Sequence, residues 1–357
     1  MNGMESPRVF IIILNWNGLE DTLECLESVF KLDYPNFRVV IVDNHSSDGS
    51  VEVLAKEYPK VKMIENHENL GYAGGNNIGI RHAIEEGAEL VWLLNNDAVV
   101  ESETLAKLIR VSEQSPQIGL VSPVIWSYGE PRQMQFSGTE FDWSDFVKET
   151  DEESQTFQNK DIRISVSLVG TALLIRRSII EKAGYLNEKY FAYSEDNEYS
   201  VRVAKLGYSN VIVNSAKIYH KGSSSTSGEK KPIQMYFRTR NLYFLWMDNI
   251  EGLKKWKYFF RYLAYVISVV AEVRNEGLQE SINACFDGAW CAVRGIGGPL
   301  DKSIRMPSPI KKLLYCLCSW HPYFWAGLIK GDLLNVYFEV IKRIRIKTRR
   351  SVLGQGR

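Results

Sequence analysis

The sequence contains few cysteines, and their spacing fits neither a zinc site nor a disulfide framework. Five cysteines occur among 357 residues, an odd number, and Cys316 and Cys318 are separated by a single residue. Free thiols of this kind are typical of a reducing compartment. The first apolar run, residues 9–14, is too short for the core of a signal peptide. We therefore expect a cytoplasmic protein.

The chain also lacks net charge. Lys and Arg total 43, as do Asp and Glu, so no overall positive field favours a nucleic-acid partner, and none is expected. The charges are unevenly distributed, because residues 301–357 contain twelve Lys or Arg and three Asp or Glu. A basic, aromatic tail favours contact with an anionic membrane. A solvated basic tail is the alternative interpretation.

The aromatic segment at residues 256–273 lacks the uninterrupted apolar character of a membrane span. Lys257 and Arg261 lie too near the middle of the apolar stretch. The pattern instead predicts an amphipathic helix that lies at a membrane surface or packs against protein. Together with the basic cluster at residues 342–350, it predicts peripheral attachment to the inner face of the cell membrane. Packing of these aromatic residues within the chain, or in a homo-oligomer, is the alternative.

The first half of the chain alternates strand-length apolar runs with amphipathic segments, a pattern typical of a parallel sheet with crossover helices. Strands are predicted at residues 9–14, 38–42, 62–65, 90–94, 167–176 and 211–213. Helices are predicted at residues 19–31, 50–58, 76–86, 101–114 and 195–206. Residues 126–163 are polar and irregular, which indicates an inserted loop region. The predicted domains are residues 1–245, with halves at 1–125 and 126–245, and a helical, aromatic and basic region at 246–357.

Four polar motifs occur in a fixed order in this first half. They are residues 15–18 (NWNG), 43–50 (DNHSSDGS), 69–79 (NLGYAGGNNIG) and 95–97 (NND). Three of the motifs directly follow predicted strands. Ligands of a doubly wound α/β sheet bind beyond the carboxyl ends of the strands, so these three motifs point into one crevice.

The residue types in the motifs suit the binding of a nucleoside diphosphate. Asp43 can accept a hydrogen bond from a base or a ribose. Glycines in residues 69–79 allow the backbone to approach phosphate, and the start of a following helix favours an anion. Asp97 supplies an oxygen ligand for a divalent ion that bridges two phosphates. His220, after the last predicted strand, is a candidate metal ligand.

A second group of acids occurs at the predicted start of the helix at residues 195–206. Glu195, Asp196 and Glu198 lie close together in sequence and oppose one another's ionisation. The resulting rise in basicity suits a group that removes a proton from a sugar hydroxyl. Stabilisation of the first helical turn by negative charge is the simpler interpretation of the same residues.

The ordered motifs resemble those of the family 2 inverting glycosyltransferases over residues 9–241, and in particular the rhamnosyltransferase-like members. The resemblance implies a GT-A-like α/β fold, with a doubly wound, mostly parallel sheet flanked by helices and a helical C-terminal extension. It also implies transfer of a sugar from a nucleoside diphosphate sugar to a hydroxyl group. The acceptor would be a lipid-linked glycan or a polysaccharide of the cell surface.

The resemblance also implies roles for individual residues. Asp196 corresponds to the general base, and Glu195 and Glu198 are assigned to the acceptor side. Asp97 and His220 correspond to ligands of Mn²⁺ or Mg²⁺, although Asn95 replaces the first acid of the family's Asp-x-Asp signature. The residues assigned to the donor are Asn15, Asn17, Asp43, Asn44, Asn69, Gly74, Gly75, Asn76, Asn96 and Arg240.

Two other functions are compatible with these motifs. A sugar-nucleotide nucleotidyltransferase shares the layout of nucleotide and metal sites, but the sequence shows no basic glycine-rich loop near the first strand. A non-catalytic nucleotide-sugar-binding protein would not need Asp97 and Asp196. Product analysis distinguishes the first alternative, and turnover distinguishes the second.

Overall fold

The structure is a computed structural model that describes residues 6–138, 144–146, 161–222 and 230–319. The chain forms two compact units, Met1–Ser227 and Gly228–Arg357. The predicted division at residue 245 stays a prediction. The basic cluster at residues 342–350 lies outside the described residues.

One mixed sheet organises the first unit. Its strands within the described residues are β1 (Val9–Asn15), β2 (Phe37–Asp43), β3 (Lys62–Glu65), β4 (Leu90–Asn95), β5 (Ala98–Val100), β6 (Ile118–Ser127), β7 (Met134–Phe136), β8 (Ile162–Ile164), β9 (Ala172–Arg176) and β10 (Ser209–His220). Their spatial order is β3-β2-β1-β4-β9-β6-β10-β5, with β7 beside β6 and β8 beside β10. The order β3-β2-β1-β4 is parallel throughout, which confirms the parallel arrangement predicted for the nucleotide-binding half.

The second half of the sheet is mixed. β6 and β10 pair in parallel, whereas β9, β5, β7 and β8 pair antiparallel with their neighbours. In the parallel half, Asn15 pairs with Asp43 and Leu14 pairs with Asn95. This register brings the ends of β1, β2 and β4 to one edge of the sheet, as the sequence predicts.

Helices cover both faces of the sheet. Within the described residues, the α-helices of the first unit are α1 (Leu19–Val29), α2 (Ser50–Glu57), α3 (Gly71–Glu85), α4 (Thr104–Ser112), α5 (Arg177–Ala183) and α6 (Glu195–Lys205). Ile11 and Ile13 of β1 belong to one hydrophobic cluster, and Phe10 and Ile12 belong to another on the opposite face. A strand buried on both faces reads as a continuous apolar run, which is why β1 is visible in the sequence.

Several elements differ from the sequence prediction: β5, β6, β7, β8 and α5 were not predicted, and the strand predicted at residues 167–176 is confined to Ala172–Arg176. Helix α3 begins at Gly71, five residues before the predicted start, so the glycine-rich motif forms helical turns and does not precede them. Glycine has a low helix propensity, but burial of this helix against the sheet overrides it. Strand β6 was not predicted, because Gly119 and Pro123 interrupt its apolar pattern.

The second unit is helical in its described part, in agreement with the prediction for the C-terminal region. It contains α7 (Pro232–Asn249), α8 (Lys254–Asn275), α9 (Gln279–Val293) and α10 (Ser308–Ser319). Tyr258 and Tyr262 of α8 are buried, with their rings edge-on to Trp246 and Tyr243 of α7. None of the helices in the described residues is long and apolar enough to cross a membrane.

Candidate functional site

A buried hydrogen-bond network joins the ends of β1 and β2. The Asn15 amide donates to Asp43 Oδ2 at 2.8 Å and to the Ser46 hydroxyl at 3.1 Å. The other oxygen of Asp43 accepts from the Ser46 backbone N–H at 2.8 Å. Because Asn15 and Asp43 are both buried, these contacts fix the orientation of the Asp43 carboxylate. This network therefore holds an acidic acceptor at the carboxyl edge of the sheet.

The first motif is tied to the second and to the fourth. Asn17 Oδ1 accepts from the Ser47 backbone N–H at 2.7 Å, which connects the loops after β1 and β2. The Asn96 amide donates to the Thr22 hydroxyl at 3.0 Å, and that hydroxyl donates to Asn15 Oδ1 at 2.9 Å. Thr22, on α1, was not identified from the sequence, because no motif contains it. It links the loop after β4 to the buried network.

Asn44 ties the second motif to the glycine-rich segment. Its amide nitrogen donates to Asn69 Oδ1 at 2.9 Å and to the Gly71 carbonyl at 3.0 Å. Its amide oxygen accepts from the Leu70 backbone N–H at 3.0 Å. The structure therefore gives Asn44 and Asn69 a role in holding the start of α3. Contact of either residue with a donor stays a prediction.

The space beside the buried glycines at the start of α3 is occupied by the protein's own side chains. A Cβ at Gly75 would lie 2.4 Å from Leu14 Cδ1, and a Cβ at Gly74 would lie 2.8 Å from Leu70 Cβ. These positions therefore require glycine for close packing of α3. The Asn76 amide donates to the Tyr72 carbonyl within the helix at 2.9 Å. The donor role predicted for Gly74, Gly75 and Asn76 stays a prediction.

Two neighbouring acids lie in the first turn of α6. Three non-glycine residues with positive φ, namely Phe191, Tyr193 and Ser194, precede this turn. Such conformations cost about 1–3 kcal/mol each and cluster at functional sites. They set the entry of the chain into α6 and thereby the positions of Glu195 and Asp196.

The Asp196 carboxylate is held by backbone and side-chain donors. Its Oδ2 accepts from the Gly170 backbone N–H at 2.8 Å, and its Oδ1 accepts from the Asn197 amide at 2.6 Å. The Gly170 carbonyl in turn accepts from the Tyr72 hydroxyl at 2.6 Å. Burial raises the pKa of Asp196, although these donors oppose the rise. The group is therefore an oriented carboxylate of increased basicity.

Glu195 and Glu198 differ in their partners. Glu195 Oε2 is buried and has no hydrogen-bond partner among the described residues. Burial, and next the Asp196 charge, raise the pKa of Glu195 well above its usual value. Both oxygens of Glu198 accept from Arg202, at 2.9 and 2.7 Å, so this carboxylate anchors α6 internally. The predicted acceptor role of both glutamates stays a prediction.

Strand pairing brings the two predicted metal ligands together. His220, the last residue of β10, pairs with Ala98 of β5, the residue after Asp97. His220 Nε2 lies 3.1 Å from Asp97 Oδ1. A carboxylate oxygen suits Mg²⁺ or Mn²⁺, and the imidazole nitrogen favours a transition ion such as Mn²⁺. No cluster of three His, Cys, Asp or Glu ligands occurs in the described residues, so phosphate oxygens or water would complete the coordination sphere.

An ion-pair cluster next to this pair was not identified from the sequence. Lys221 Nζ lies 2.6 Å from Asp21 Oδ1 and 2.6 Å from Glu24 Oε2, both on α1. The Lys221 backbone N–H donates to the Asp97 carbonyl at 3.0 Å. Burial alone would lower the pKa of Lys221, but the hydrogen bonds to the two acids raise it. The cluster connects α1 to the backbone that carries Asp97 and His220. It cannot be predicted from local sequence, because Lys221 and Asp21 are 200 residues apart.

Arg240 lies in the second unit and is fully buried. Its guanidinium donates to the Gly298 carbonyl at 2.7 Å and to Asn241 Oδ1 at 2.9 Å. Burial lowers the pKa of Arg240. These contacts show a packing role within the helical unit, and the predicted contact with phosphate stays a prediction.

Known glycosyltransferase sequences are similar to this chain. The family model described as "Glycosyl transferase family 2" matches residues 10–184. The low-salt glycan biosynthesis hexosyltransferase Agl10 of Haloferax volcanii is 28% identical over 199 residues, which are 55% of this chain and 61% of that protein. The N-acetylglucosaminyl-diphospho-decaprenol L-rhamnosyltransferase of Mycobacterium tuberculosis is 27% identical over 60% of this chain and 76% of its own length. The dTDP-rhamnosyl transferase RfbF of Shigella flexneri is 24% identical over 82% of this chain and 98% of its own length.

Solved structures agree with this assignment at the level of the fold. The mannosyltransferase PcManGT of Pyrobaculum calidifontis, in complex with GDP-Man and Mn²⁺, matches 94% of this chain and 87% of its own, with a TM-score of 0.51 and 20% identity. GalNAc-T7 with UDP, GalNAc and Mn²⁺ matches 66% of this chain and 47% of its own, with a TM-score of 0.53 and 19% identity. The chain is similar to the family 2 glycosyltransferases over residues 10–184 and to the named rhamnosyltransferases over 60% and 82% of its length, and it has a GT-A-like fold.

Proposed function

We propose that this chain is a metal-dependent, inverting glycosyltransferase that uses a nucleoside diphosphate sugar, with dTDP-rhamnose as the first donor to test. The observation that carries the proposal is the proximity of Asp97, paired with His220, to the acids of α6. Asp196 accepts from the Gly170 backbone N–H at 2.8 Å, and the carbonyl of the next residue, Thr171, accepts at 2.9 Å from the backbone N–H of Asn95, two residues before Asp97. The proposed base and the proposed metal ligands are therefore connected through the backbone of Gly170, Thr171 and Asn95.

The donor would lie at the carboxyl edge of β1, β2 and β4. Asp43, oriented by Asn15 and Ser46, would accept a hydrogen bond from the base or ribose. Asp97 and His220 would hold Mn²⁺ or Mg²⁺ through one oxygen and one nitrogen. When bound, such an ion stabilises the negative charge of a departing diphosphate. The salt-bridged Lys221 would keep these two ligands in place.

Asp196 would act as the general base. Its raised pKa brings its basicity closer to the operating pH, which favours proton removal from an acceptor hydroxyl. The Gly170 and Asn197 donors keep its oxygens oriented before substrate arrives. Direct attack by that hydroxyl on the anomeric carbon breaks the bond to the diphosphate and inverts the configuration, without a covalent enzyme intermediate.

The acceptor is proposed to be a lipid-linked glycan or a polysaccharide under construction. The name of the Mycobacterium tuberculosis relative, an N-acetylglucosaminyl-diphospho-decaprenol rhamnosyltransferase, supports a lipid-linked acceptor for that protein. On α8 of this chain, Trp256 and Phe260 are 64% and 53% exposed. Lys254, Lys255, Lys257 and Arg261 lie on the same helix. Exposed aromatic side chains beside basic residues support peripheral contact with anionic lipid on the cytoplasmic face.

A thermal-shift screen of nucleotide sugars, with and without Mn²⁺, tests the proposed function. A ligand that binds the folded chain stabilises it by about 2.7 kcal/mol at a hundred times its dissociation constant. We expect at least one nucleoside diphosphate sugar to raise the melting temperature more with Mn²⁺ than without it. Stabilisation by nucleoside triphosphates alone, with release of pyrophosphate, would instead favour a nucleotidyltransferase.

A further inference from the structure

Gln135, on strand β7, contacts His220 at two points. Its side-chain Oε1 lies 2.9 Å from His220 Nδ1. Its side-chain Nε2 donates to the His220 carbonyl oxygen at 3.0 Å. None of the sequence motifs includes Gln135, which lies within the polar segment at residues 126–163.

The two contacts determine how the amide is oriented. A backbone carbonyl oxygen only accepts hydrogen bonds, and that of His220 also accepts from the Tyr128 backbone N–H at 3.0 Å. The amide NH₂ of Gln135 must therefore face this carbonyl, and the amide oxygen must face the imidazole ring. The assignment follows from the hydrogen-bond network, since amide oxygen and nitrogen atoms are otherwise hard to distinguish.

The orientation of Gln135 fixes the position of a ring hydrogen. An amide oxygen only accepts, so His220 Nδ1 carries a hydrogen and donates it to Gln135. The other ring nitrogen, Nε2, then faces Asp97 Oδ1 across 3.1 Å. In the neutral ring, a nitrogen lone pair and a carboxylate oxygen at this distance repel each other unless a proton or a metal cation lies between them.

We propose that Gln135 is a positioning residue for the metal site, because it keeps the ring hydrogen on Nδ1 and leaves Nε2 for the ion. The inference rests on the proposed metal-dependent function. Outer hydrogen bonds of this kind fix the tautomer and orientation of a ligating histidine, and their loss typically lowers metal affinity by about 10–100-fold.

The sheet holds Gln135 in place. Met134 and Phe136, its neighbours on β7, pair with Trp126 and Ile125 of β6. The turn between the strands is closed by hydrogen bonds of 2.7 Å between Ser127 and Gln133 in both directions. The residues before and after Gln135 are therefore both paired with β6, and this pairing holds the backbone from which Gln135 reaches His220.

The test uses three variants of the full chain. Gln135→Met keeps the side-chain length but removes both the acceptor and the donor. Gln135→Glu keeps the acceptor for Nδ1–H. Gln133→Met is the matched control, because it makes the same change two residues away. Mn²⁺ affinity is measured by electron paramagnetic resonance of the free ion, without donor or acceptor.

We expect Gln135→Met to weaken Mn²⁺ binding by about 10–100-fold relative to the parent chain, Gln135→Glu to bind Mn²⁺ more tightly than Gln135→Met, and Gln133→Met to bind within about threefold of the parent chain. Equal affinity of Gln135→Met and the parent chain would overturn the assignment. A parent chain that does not bind Mn²⁺ would count against the proposed function. The second readout below tests Gln135 independently of metal.

The second readout is the ¹⁵N spectrum of the neutral His220 ring, recorded in an Asp97→Ala background that removes the competing acceptor. His220 is identified by its loss in a His220→Gln sample. We expect Nδ1–H in Asp97→Ala, and a shift toward Nε2–H when Gln135→Met is added. Nε2–H in Asp97→Ala itself would overturn the proposal, whatever the metal affinity.

Discussion

Replacement of Asp196 by Asn separates the structural and the chemical contributions of this side chain. The carboxylate accepts from Gly170 through one oxygen and from Asn197 through the other. An Asn side chain has a single accepting oxygen. Whichever way its amide is turned, an NH₂ group therefore faces one of these N–H donors.

The two contributions have different sizes. An unsatisfied buried donor costs about 1–3 kcal/mol of folding free energy. The variant also removes the burial cost of a charge, which offsets part of this loss at neutral pH. Loss of a general base lowers the rate by about 10²–10⁴-fold, which corresponds to about 2.7–5.4 kcal/mol in the barrier. We therefore expect a folded variant with a modest loss of stability and a large loss of turnover.

Urea denaturation measures the stability, thermal shift measures donor binding, and release of nucleoside diphosphate measures turnover. Asp33→Asn is the matched control, because Asp33 is an exposed aspartate near the start of β2. Asp33→Asn should leave stability, donor binding and turnover close to those of the parent chain. Turnover of Asp196→Asn within tenfold of the parent chain would refute the assignment of the general base.

Three further predictions address the buried acid, the glycine packing and the membrane contact. Because burial raises the folded-state pKa of Glu195, the fold binds a proton that the unfolded chain has lost, so stability falls as pH rises above the unfolded pKa. Urea denaturation should therefore show Glu195→Gln gaining stability relative to the parent chain between pH 4 and pH 8, and a constant difference would contradict this. Gly75→Ala should lower the free energy of unfolding by about 1–3 kcal/mol, because the added Cβ would lie 2.4 Å from Leu14 Cδ1. Unchanged stability together with weaker donor binding would instead support direct contact of Gly75 with phosphate. The double replacement of Trp256 and Phe260 by Ser should reduce cosedimentation with anionic vesicles at low salt, and equal cosedimentation of variant and parent would remove the membrane proposal.

The parallel half of the sheet could be predicted because its strands are buried on both faces. Each of β1, β2 and β4 appears in the sequence as an apolar run that ends at a polar motif. The parallel register then places Asn15 opposite Asp43 without further information. Strand β6 could not be predicted, because its sequence has no uninterrupted apolar run. It forms a strand because it lies between β9 and β10 in the sheet.

The candidate site was less predictable, because its contacts depend on tertiary structure. Asp97 and His220 were paired from a family resemblance, and the antiparallel pairing of β5 and β10 gives the physical reason. In the sequence, the glycines of α3 suit phosphate binding, but a glycine that is needed for close packing looks the same. Gln135 and Lys221 carry no local signal, since their partners are 85 and 200 residues away.

The anomeric configuration of the first product tests the central claim most directly. The full chain, Mn²⁺, the nucleoside diphosphate sugar selected by thermal shift and a lipid-linked acceptor would be followed by ¹H NMR from the first minutes of reaction. The account predicts a glycoside whose anomeric configuration is opposite to that of the donor, formed together with one nucleoside diphosphate. A product that retains the donor configuration, or release of pyrophosphate in its place, would contradict it.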